Sequence, residues 1–330
     1  MSSRRALTAA ALLACALVTA CGGGDDDDPT DTPPPVPKPS QFPQAGDKTL
    51  AQLRTGLGRG GPVLAPSVSQ LVAGQRNRFG FGLFTRERGQ IADAQVAVYV
   101  AKAGGGEAQG PFVARWESLE VEPEYQSRQT AADPNAAKSV YVAELPLGEP
   151  GRYEVLGIAK LDERLVAATS ASPAIPVLSR SEDQIPRPGE AAPRIHTPTE
   201  ADAGGDLSSI DTRLPPSDMH ANDFADVLGK KPIVLLFATP QLCQSRVCGP
   251  VVDIAEQVRS DDYDGVEFIH MEVFNDNQVE KGIRPQLVAY GLQSEPWLFT
   301  VDRNGRVAAR LEGAFSEREM RAAIEKATGG

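Results

Sequence analysis

Between residues 47 and 180, apolar and polar side chains alternate with the two-residue period of β-strands, and helical spacing is absent. The alternation is clearest in residues 79–83 and at Val96, Val98 and Val100. Further strand candidates, separated by Gly, Pro and polar turns at the intervals expected of a sandwich, are residues 112–116, 139–145, 151–160 and 165–171. We therefore predict that this region is an all-β domain.

Residues 211–330 have a different pattern, in which apolar runs alternate with segments of helical spacing, as in α/β proteins. Residues 232–237 form a continuous apolar run that suits a central strand. Asn304-Gly305 lies between two alternating segments and predicts a tight hairpin. The predicted order is helix, strand, helix, strand, helix, hairpin and helix, over residues 222–228, 232–237, 251–258, 266–273, 285–290, 297–311 and 316–327.

The first twenty residues predict a signal peptide, because Arg4 and Arg5 precede an apolar run that is too short to span a bilayer. Residues 18–21, Val-Thr-Ala-Cys, resemble the bacterial lipobox, and this resemblance implies that Cys21 is lipidated. Cleavage at Cys15 would leave too short an apolar core. The two arginines also resemble a weakened twin-arginine signal, so the export route stays open. We expect a lipoprotein of the cell envelope, anchored at the outer face of the cytoplasmic membrane or in the periplasm.

Two segments have compositions that cannot bury much apolar surface. Residues 21–46 contain four consecutive aspartates and many prolines, and they predict an extended tether. Residues 181–210 are rich in proline, glycine and charge, and they predict a linker. The formal net charge of −11 and the lack of a basic patch argue against nucleic-acid binding. The predicted organisation is a signal peptide, a tether, a β-sandwich domain, a linker and an α/β domain, over residues 1–20, 21–46, 47–180, 181–210 and 211–330.

Of the four cysteines, only Cys243 and Cys248 remain once the signal peptide is removed and Cys21 is lipidated. In an oxidising compartment, any thiol chemistry must therefore use this pair. Cys243 follows a predicted strand and precedes a predicted helix, where free backbone N–H groups and the helix dipole favour a thiolate. Arg246 adds positive charge nearby. We predict that Cys243 is the nucleophile and that Cys248 is the resolving thiol.

The order of elements around this pair, with Glu295-Pro296-Trp297 before the hairpin, resembles the thioredoxin fold. The resemblance implies a cis peptide bond before Pro296, which would face the cysteines and shape the substrate groove. In the N-terminal half, residues 150–153 (Pro-Gly-Arg-Tyr) resemble the turn before a late strand of immunoglobulin-like and fibronectin-like domains. The expected fold is an N-terminal all-β immunoglobulin-like sandwich followed by a C-terminal α/β thioredoxin-like fold.

The cysteine motif departs from that of thioredoxin, because four residues rather than two separate the cysteines. Residues five apart in a regular helix have Cα atoms about 8.6 Å apart, whereas a disulfide needs less than about 7 Å. A bond therefore requires either local unwinding or a Cys243 that lies in the loop before the helix. Leu236 stands where thioredoxin has a buried aspartate, no tryptophan precedes Cys243, and Glu295 is expected to raise the pKa of a nearby thiol.

We predict a membrane-anchored, extracytoplasmic thiol-disulfide oxidoreductase that needs neither cofactor nor metal. Its expected partners are disulfides or thiols of exported proteins or small molecules, and an unidentified electron-transfer partner. One alternative is a non-catalytic binding or scaffold lipoprotein with a structural disulfide, although closing so short a loop stabilises little. An atypical peroxiredoxin would need a threonine where Pro240 stands. A copper-binding Sco-type site would need a shorter cysteine spacing and a histidine such as His270, which is more typical of a packed strand residue.

Overall fold

The computed structural model describes residues 35–58, 60–261, 263 and 265–329. The predicted signal peptide, Cys15 and the predicted lipidation point Cys21 lie outside these residues. In the part of the chain that is described, none of the helices combines the length and the hydrophobicity of a membrane span.

The N-terminal half is dominated by one sheet of nine strands that closes on itself. The strands are β1 (Val63–Pro66), β2 (Leu71–Val72), β3 (Gln75–Phe84), β4 (Gln95–Lys102), β5 (Gln109–Ser118), β6 (Ser139–Leu147), β7 (Gly151–Leu161), β8 (Arg164–Ser170) and β9 (Ile175–Leu178). Strands β7, β4, β5, β6, β3, β1 and β8 are hydrogen-bonded in that order, and β8 pairs back to β7 to close a barrel. Two short helices, α1 (Leu50–Arg54) and α2 (Arg128–Ala132), precede β1 and follow β5.

The alternating residues of the sequence face the barrel interior. Phe79, Phe81 and Leu83 are completely buried there, and burying each such side chain contributes about 2 kcal/mol. The opposite face of β4 is buried as well, because α1 and the segment before it cover Ala97 and Tyr99. The barrel wall at β4 is therefore protected from water on both sides.

The prediction of an immunoglobulin-like sandwich is wrong, because the sheet closes into a seven-stranded barrel. A sandwich consists of two sheets that face each other. Here Leu156–Leu161 of β7 pairs with Arg164–Thr169 of β8, and β8 also pairs in parallel with β1, so the sheet closes into a barrel. Strands of a sandwich and of a barrel both alternate apolar and polar residues, so the pattern alone does not separate them.

The C-terminal half contains a separate sheet of four strands. Its strands are β10 (Ile233–Phe237), β11 (Glu267–Met271), β12 (Trp297–Val301) and β13 (Val307–Glu312), and its helices are α3 (Phe224–Val227), α4 (Cys248–Ser260), α5 (Pro285–Ala289) and α6 (Glu317–Thr328). The strand order is β11-β10-β12-β13, with β10 parallel to β11 and antiparallel to β12. The predicted hairpin turn is confirmed, because Gly305 has a left-handed φ of 75° and its N–H donates to the Asp302 carbonyl.

The prediction of an α/β thioredoxin-like fold is also contradicted, since the described chain is mostly β and only 19% helical. In the described residues, α4 and α6 are the only α-helices longer than five residues. The apolar layer that they form is shared with the barrel, whose Leu119, Val140 and Val142 belong to the same buried cluster as Val251 and Phe315. The small sheet is thus packed against the barrel.

The other face of the small sheet is covered by residues that were predicted to form a linker. Ile185, Ala192 and Ile195 are buried in one cluster with Phe237 and Phe299 of the sheet. Residues 181–210 therefore contribute to the core of the C-terminal half. The residues at which the domains were predicted to begin and end are not tested by this packing and stay predictions.

A buried ion-pair network also joins the barrel to α6. Arg78 of β3 donates to both carboxylate oxygens of Glu319, at 2.8 and 2.7 Å, and Arg115 of β5 donates to the same carboxylate at 2.7 Å. Burial alone would raise the pKa of Glu319, but the charges of the two arginines lower it. The side chains of Arg78 and Glu319 are only 14% and 7% exposed, so their charges depend on each other for solvation.

We expect Glu319→Gln to lower the free energy of unfolding by about 2 kcal/mol, because it leaves the nearly buried guanidinium group of Arg78 without this carboxylate and removes one of the carboxylates that pair with Arg115. Glutamine keeps the size of the side chain and the capping position at the start of α6. Urea unfolding measures the change. The matched control is Glu325→Gln on the exposed face of α6, which should alter stability by less than about 0.5 kcal/mol; equal effects of the two variants would contradict the role of the network.

Candidate functional site

The two cysteines lie on either side of the boundary between a loop and a helix. Cys248 is the first residue of α4 and is completely buried, whereas Cys243 lies in the preceding loop and is partly exposed. Of the two arrangements that the spacing allowed, the structure therefore has the one that needs no unwinding of the helix. Both thiols are free, and their sulfur atoms lie within 4.8 Å of each other.

Backbone contacts hold the loop in place. The Cys243 N–H donates to the Thr239 carbonyl at 3.2 Å. Arg246 adopts a left-handed φ of 59° where the chain bends just before α4, and its carbonyl accepts from the Ala137 N–H of the barrel half at 3.3 Å. This path brings the Cys243 sulfur back toward the first N–H groups of α4, although Cys243 itself is outside the helix.

The surroundings of Cys243 favour its thiolate. The hydrogen bond from the Cys248 thiol is the largest cause that lowers the pKa of Cys243, and burial opposes it. The Ser245 hydroxyl, 3.1 Å from the sulfur, and the backbone N–H groups of Cys248 and Val247 add to the effect. Together they lower the pKa of Cys243 to about 6, so the thiolate predominates at neutral pH.

Arg246 does not have the role that the sequence predicted for it. Its guanidinium group pairs with Asp133 across 3.5 Å, and its side chain is 48% exposed. The stabilisation of the thiolate comes instead from hydrogen bonds to the sulfur.

The thiol of Cys248 is much less acidic than that of Cys243. Burial raises the pKa of Cys248 well above its ordinary value, and the hydrogen bond to Cys243 and the charge of Cys243 raise it further. The negative charge of Glu295 contributes in the same direction, so the expectation that Glu295 raises the pKa of a nearby thiol is confirmed. The site thus pairs an accessible, acidic thiol with a buried, weakly acidic one.

Pro296 lies at the end of the sheet from which the cysteine loop starts. The predicted cis peptide bond between Glu295 and Pro296 is confirmed. Pro296 precedes Trp297, which pairs across the sheet with Phe237 at the end of β10, just before the cysteine loop. A carboxylate oxygen of Glu295 lies within 4.8 Å of both cysteine sulfurs, and burial, followed by the charge of Cys243, raises the pKa of Glu295.

A buried polar cluster under the cysteine loop was missed from the sequence. Asp211 accepts hydrogen bonds from His220 Nε2 at 3.0 Å, His270 Nδ1 at 3.2 Å and the Ser217 N–H at 2.7 Å. The other ring nitrogen of His270 donates to the Ala238 carbonyl at 3.0 Å. Burial alone would lower the pKa of His270, but the charge of Asp211 raises it to about 9. The cluster therefore ties the segment around Asp211 to the end of β10.

Two groups among the described residues bring three potential metal-binding atoms within 4.8 Å of one another: Asp211, His220 and His270, and Cys243, Cys248 and Glu295. Both contain side-chain types that bind divalent ions. In the first group, both imidazoles already hydrogen-bond to the carboxylate. In the second, the thiols hydrogen-bond to each other. These contacts account for the proximity of the side chains in the first group and of the two thiols in the second, but not for that of Glu295.

Comparison with known proteins gives no family for the chain. No family model matches it, and no curated protein has a similar sequence. Its function must therefore be argued from the site itself.

We expect the rate of Cys243 alkylation by iodoacetamide to rise with pH through a midpoint near 6, following the thiolate. In Cys248→Ala, which removes the largest stabilising hydrogen bond, the midpoint should move toward the ordinary cysteine value of about 8.5. Mass spectrometry of the labelled peptide measures the rate at each pH. A wild-type midpoint near that of the alanine variant would contradict the interaction between the thiols.

Proposed function

We propose that the protein is a thiol-disulfide oxidoreductase in which Cys243 attacks and Cys248 resolves. The observation that supports this most directly is the contrast between the two thiols. The partly exposed Cys243 has a pKa of about 6, and a fully buried Cys248 with a raised pKa lies within 4.8 Å of it. A nucleophile needs the thiolate and access to its substrate, whereas a resolving thiol needs to stay protonated until the substrate is attached.

In the proposed reaction, the Cys243 thiolate attacks one sulfur of a substrate disulfide. The substrate S–S bond breaks, one substrate sulfur leaves as a thiolate, and a mixed disulfide forms with Cys243. Cys248 then loses its proton and attacks the Cys243 sulfur, which releases the second substrate thiol. The substrate gains two electrons, and the cysteine pair becomes a disulfide. An electron-transfer partner must then reduce this disulfide, and the reverse sequence would oxidise a dithiol.

The second step needs a proton acceptor, and we propose Glu295. Its carboxylate lies within 4.8 Å of the Cys248 sulfur. Because the pKa of Glu295 is raised, its carboxylate is a better base than an exposed glutamate. Its position before Pro296 brings this base to the same side of the site as the residue that is proposed to shape the substrate groove.

The location of the reaction is also a proposal. The predicted signal peptide and the predicted lipidation of Cys21 support a site in the cell envelope, where exported proteins carry disulfides. Disulfides or thiols of such proteins, or of small molecules, are the substrates that we propose.

We expect the wild-type protein to accelerate the reduction of insulin by dithiothreitol, and Cys243→Ser to abolish this activity. Cys248→Ser should still attack, but it should accumulate a mixed disulfide that is visible by mass spectrometry. Gln244→Ser, an exposed neighbour in the same loop, is the control and should keep full activity. Absence of turnover together with a reduction potential below about −300 mV would indicate a structural disulfide instead.

For Glu295→Gln, we expect resolution of the mixed disulfide to slow by about tenfold or more, because the proton acceptor is lost. Alkylation of Cys243 should not slow, since Glu295 does not activate that thiol. Rapid-quench analysis of the mixed disulfide separates the two steps. The control is Glu280→Gln, an exposed glutamate outside the site; equal resolution rates in both variants would exclude Glu295 as the acceptor.

A further inference from the structure

A second candidate site lies between the two halves of the molecule, outside the cysteine loop. It is a cavity of about 620 Å³, lined by β2 and β3 of the nine-stranded sheet on one side and by β13 and α6 on the other. This volume is in the range of small-molecule pockets. No residue of the cysteine loop lines it.

The charge of the cavity is opposite to that of the protein. Seven arginines and one lysine line it, against three glutamates, whereas the whole chain has a formal net charge of −11. A cavity that is lined by cations attracts anions even in an acidic protein, because the walls of the cavity concentrate the electric field of these cations.

The arginines at the base of the cavity are held in fixed positions. Arg78 is bound to Glu319, and Arg310 donates to Asp183 at 2.8 Å and to the Ile185 carbonyl at 2.6 Å. The side chains of Arg78 and Arg310 are each only 14% exposed. These ion pairs neutralise the positive charge at the bottom of the cavity, and they also hold its guanidinium groups in fixed positions.

The cations at the rim are different. Arg76, Arg180 and Lys326 are exposed, and none of them has a carboxylate within 4.0 Å among the residues that the structure describes. They come from β3, from the segment after β9 and from α6, which are three separate parts of the cavity lining. Within the described part of the chain, none of the three therefore forms an ion pair, although the charge of Arg180 helps to lower the pKa of Glu190.

We propose that this cavity binds a small molecule that carries two or more phosphate or carboxylate groups. Guanidinium groups bind the oxygens of both groups through paired hydrogen bonds. Arg76, Arg180 and Lys326 would form ion pairs with the anionic groups of the ligand. The two arginines that are already paired, Arg78 and Arg310, would shape the bottom of the cavity. Because both halves of the molecule line the cavity, the ligand would bind only the folded protein and stabilise it.

The test is calorimetric titration of the purified protein with tripolyphosphate and, separately, with citrate, to distinguish phosphate from carboxylate recognition. We expect at least one of them to bind with a stoichiometry of one and to raise the melting temperature. The triple variant Arg76→Gln, Arg180→Gln, Lys326→Gln should bind at least tenfold more weakly. Its residues are exposed, so the fold should persist.

A matched control separates a specific site from net charge. Arg86→Gln, Arg164→Gln, Arg303→Gln removes three exposed arginines outside the cavity and should bind like the wild type. Absence of binding to both probes, equal weakening in both triple variants, or binding only to a long polyanion such as heparin would overturn the proposal. Cys243→Ser should bind normally, so this result does not depend on the redox function.

Discussion

The enclosure of α4 between the small sheet and the barrel is the constraint on which the rest of the site depends. Val251, Val252, Ile254, Ala255 and Val258 are all completely buried, on faces that point in different directions. A buried ion pair between Arg213 and Asp253, at 2.9 Å, fixes the helix further. Because α4 cannot rotate without breaking these contacts, its first residue, Cys248, has a defined position, and the acidity of Cys243 follows from it.

Local patterns were enough to predict most of the strands, the hairpin at Asn304-Gly305 and the last helix, because each of these depends on neighbouring residues. The fold class could not be predicted in this way. Closure of the barrel depends on the pairing of β8 with both β7 and β1, and the packing of residues 181–210 depends on a few apolar side chains in a polar segment. Neither has a periodic signal.

The candidate site, too, could be predicted from the sequence only in part. The cysteine pair and Pro296 could be identified from the order of elements and from the predicted removal of Cys15 and predicted lipidation of Cys21. The polar cluster could not, because Asp211 and His270 are separated by 59 positions and neither lies in a recognisable motif. The conformation of Arg246 could not be predicted either, since a left-handed φ is uncommon for arginine.

The hydrogen bond between Ala137 and Arg246 has a consequence for how this protein can vary. The loop that carries Cys243 takes part of its shape from the connection between β5 and β6, so the environment of this thiol depends on the barrel half as well. Grafting the C-terminal half onto another carrier would remove that contact and uncover the apolar side of α4. Insertions in the β5–β6 connection, although distant in sequence, should therefore change the geometry of the cysteine pair and the pKa of Cys243.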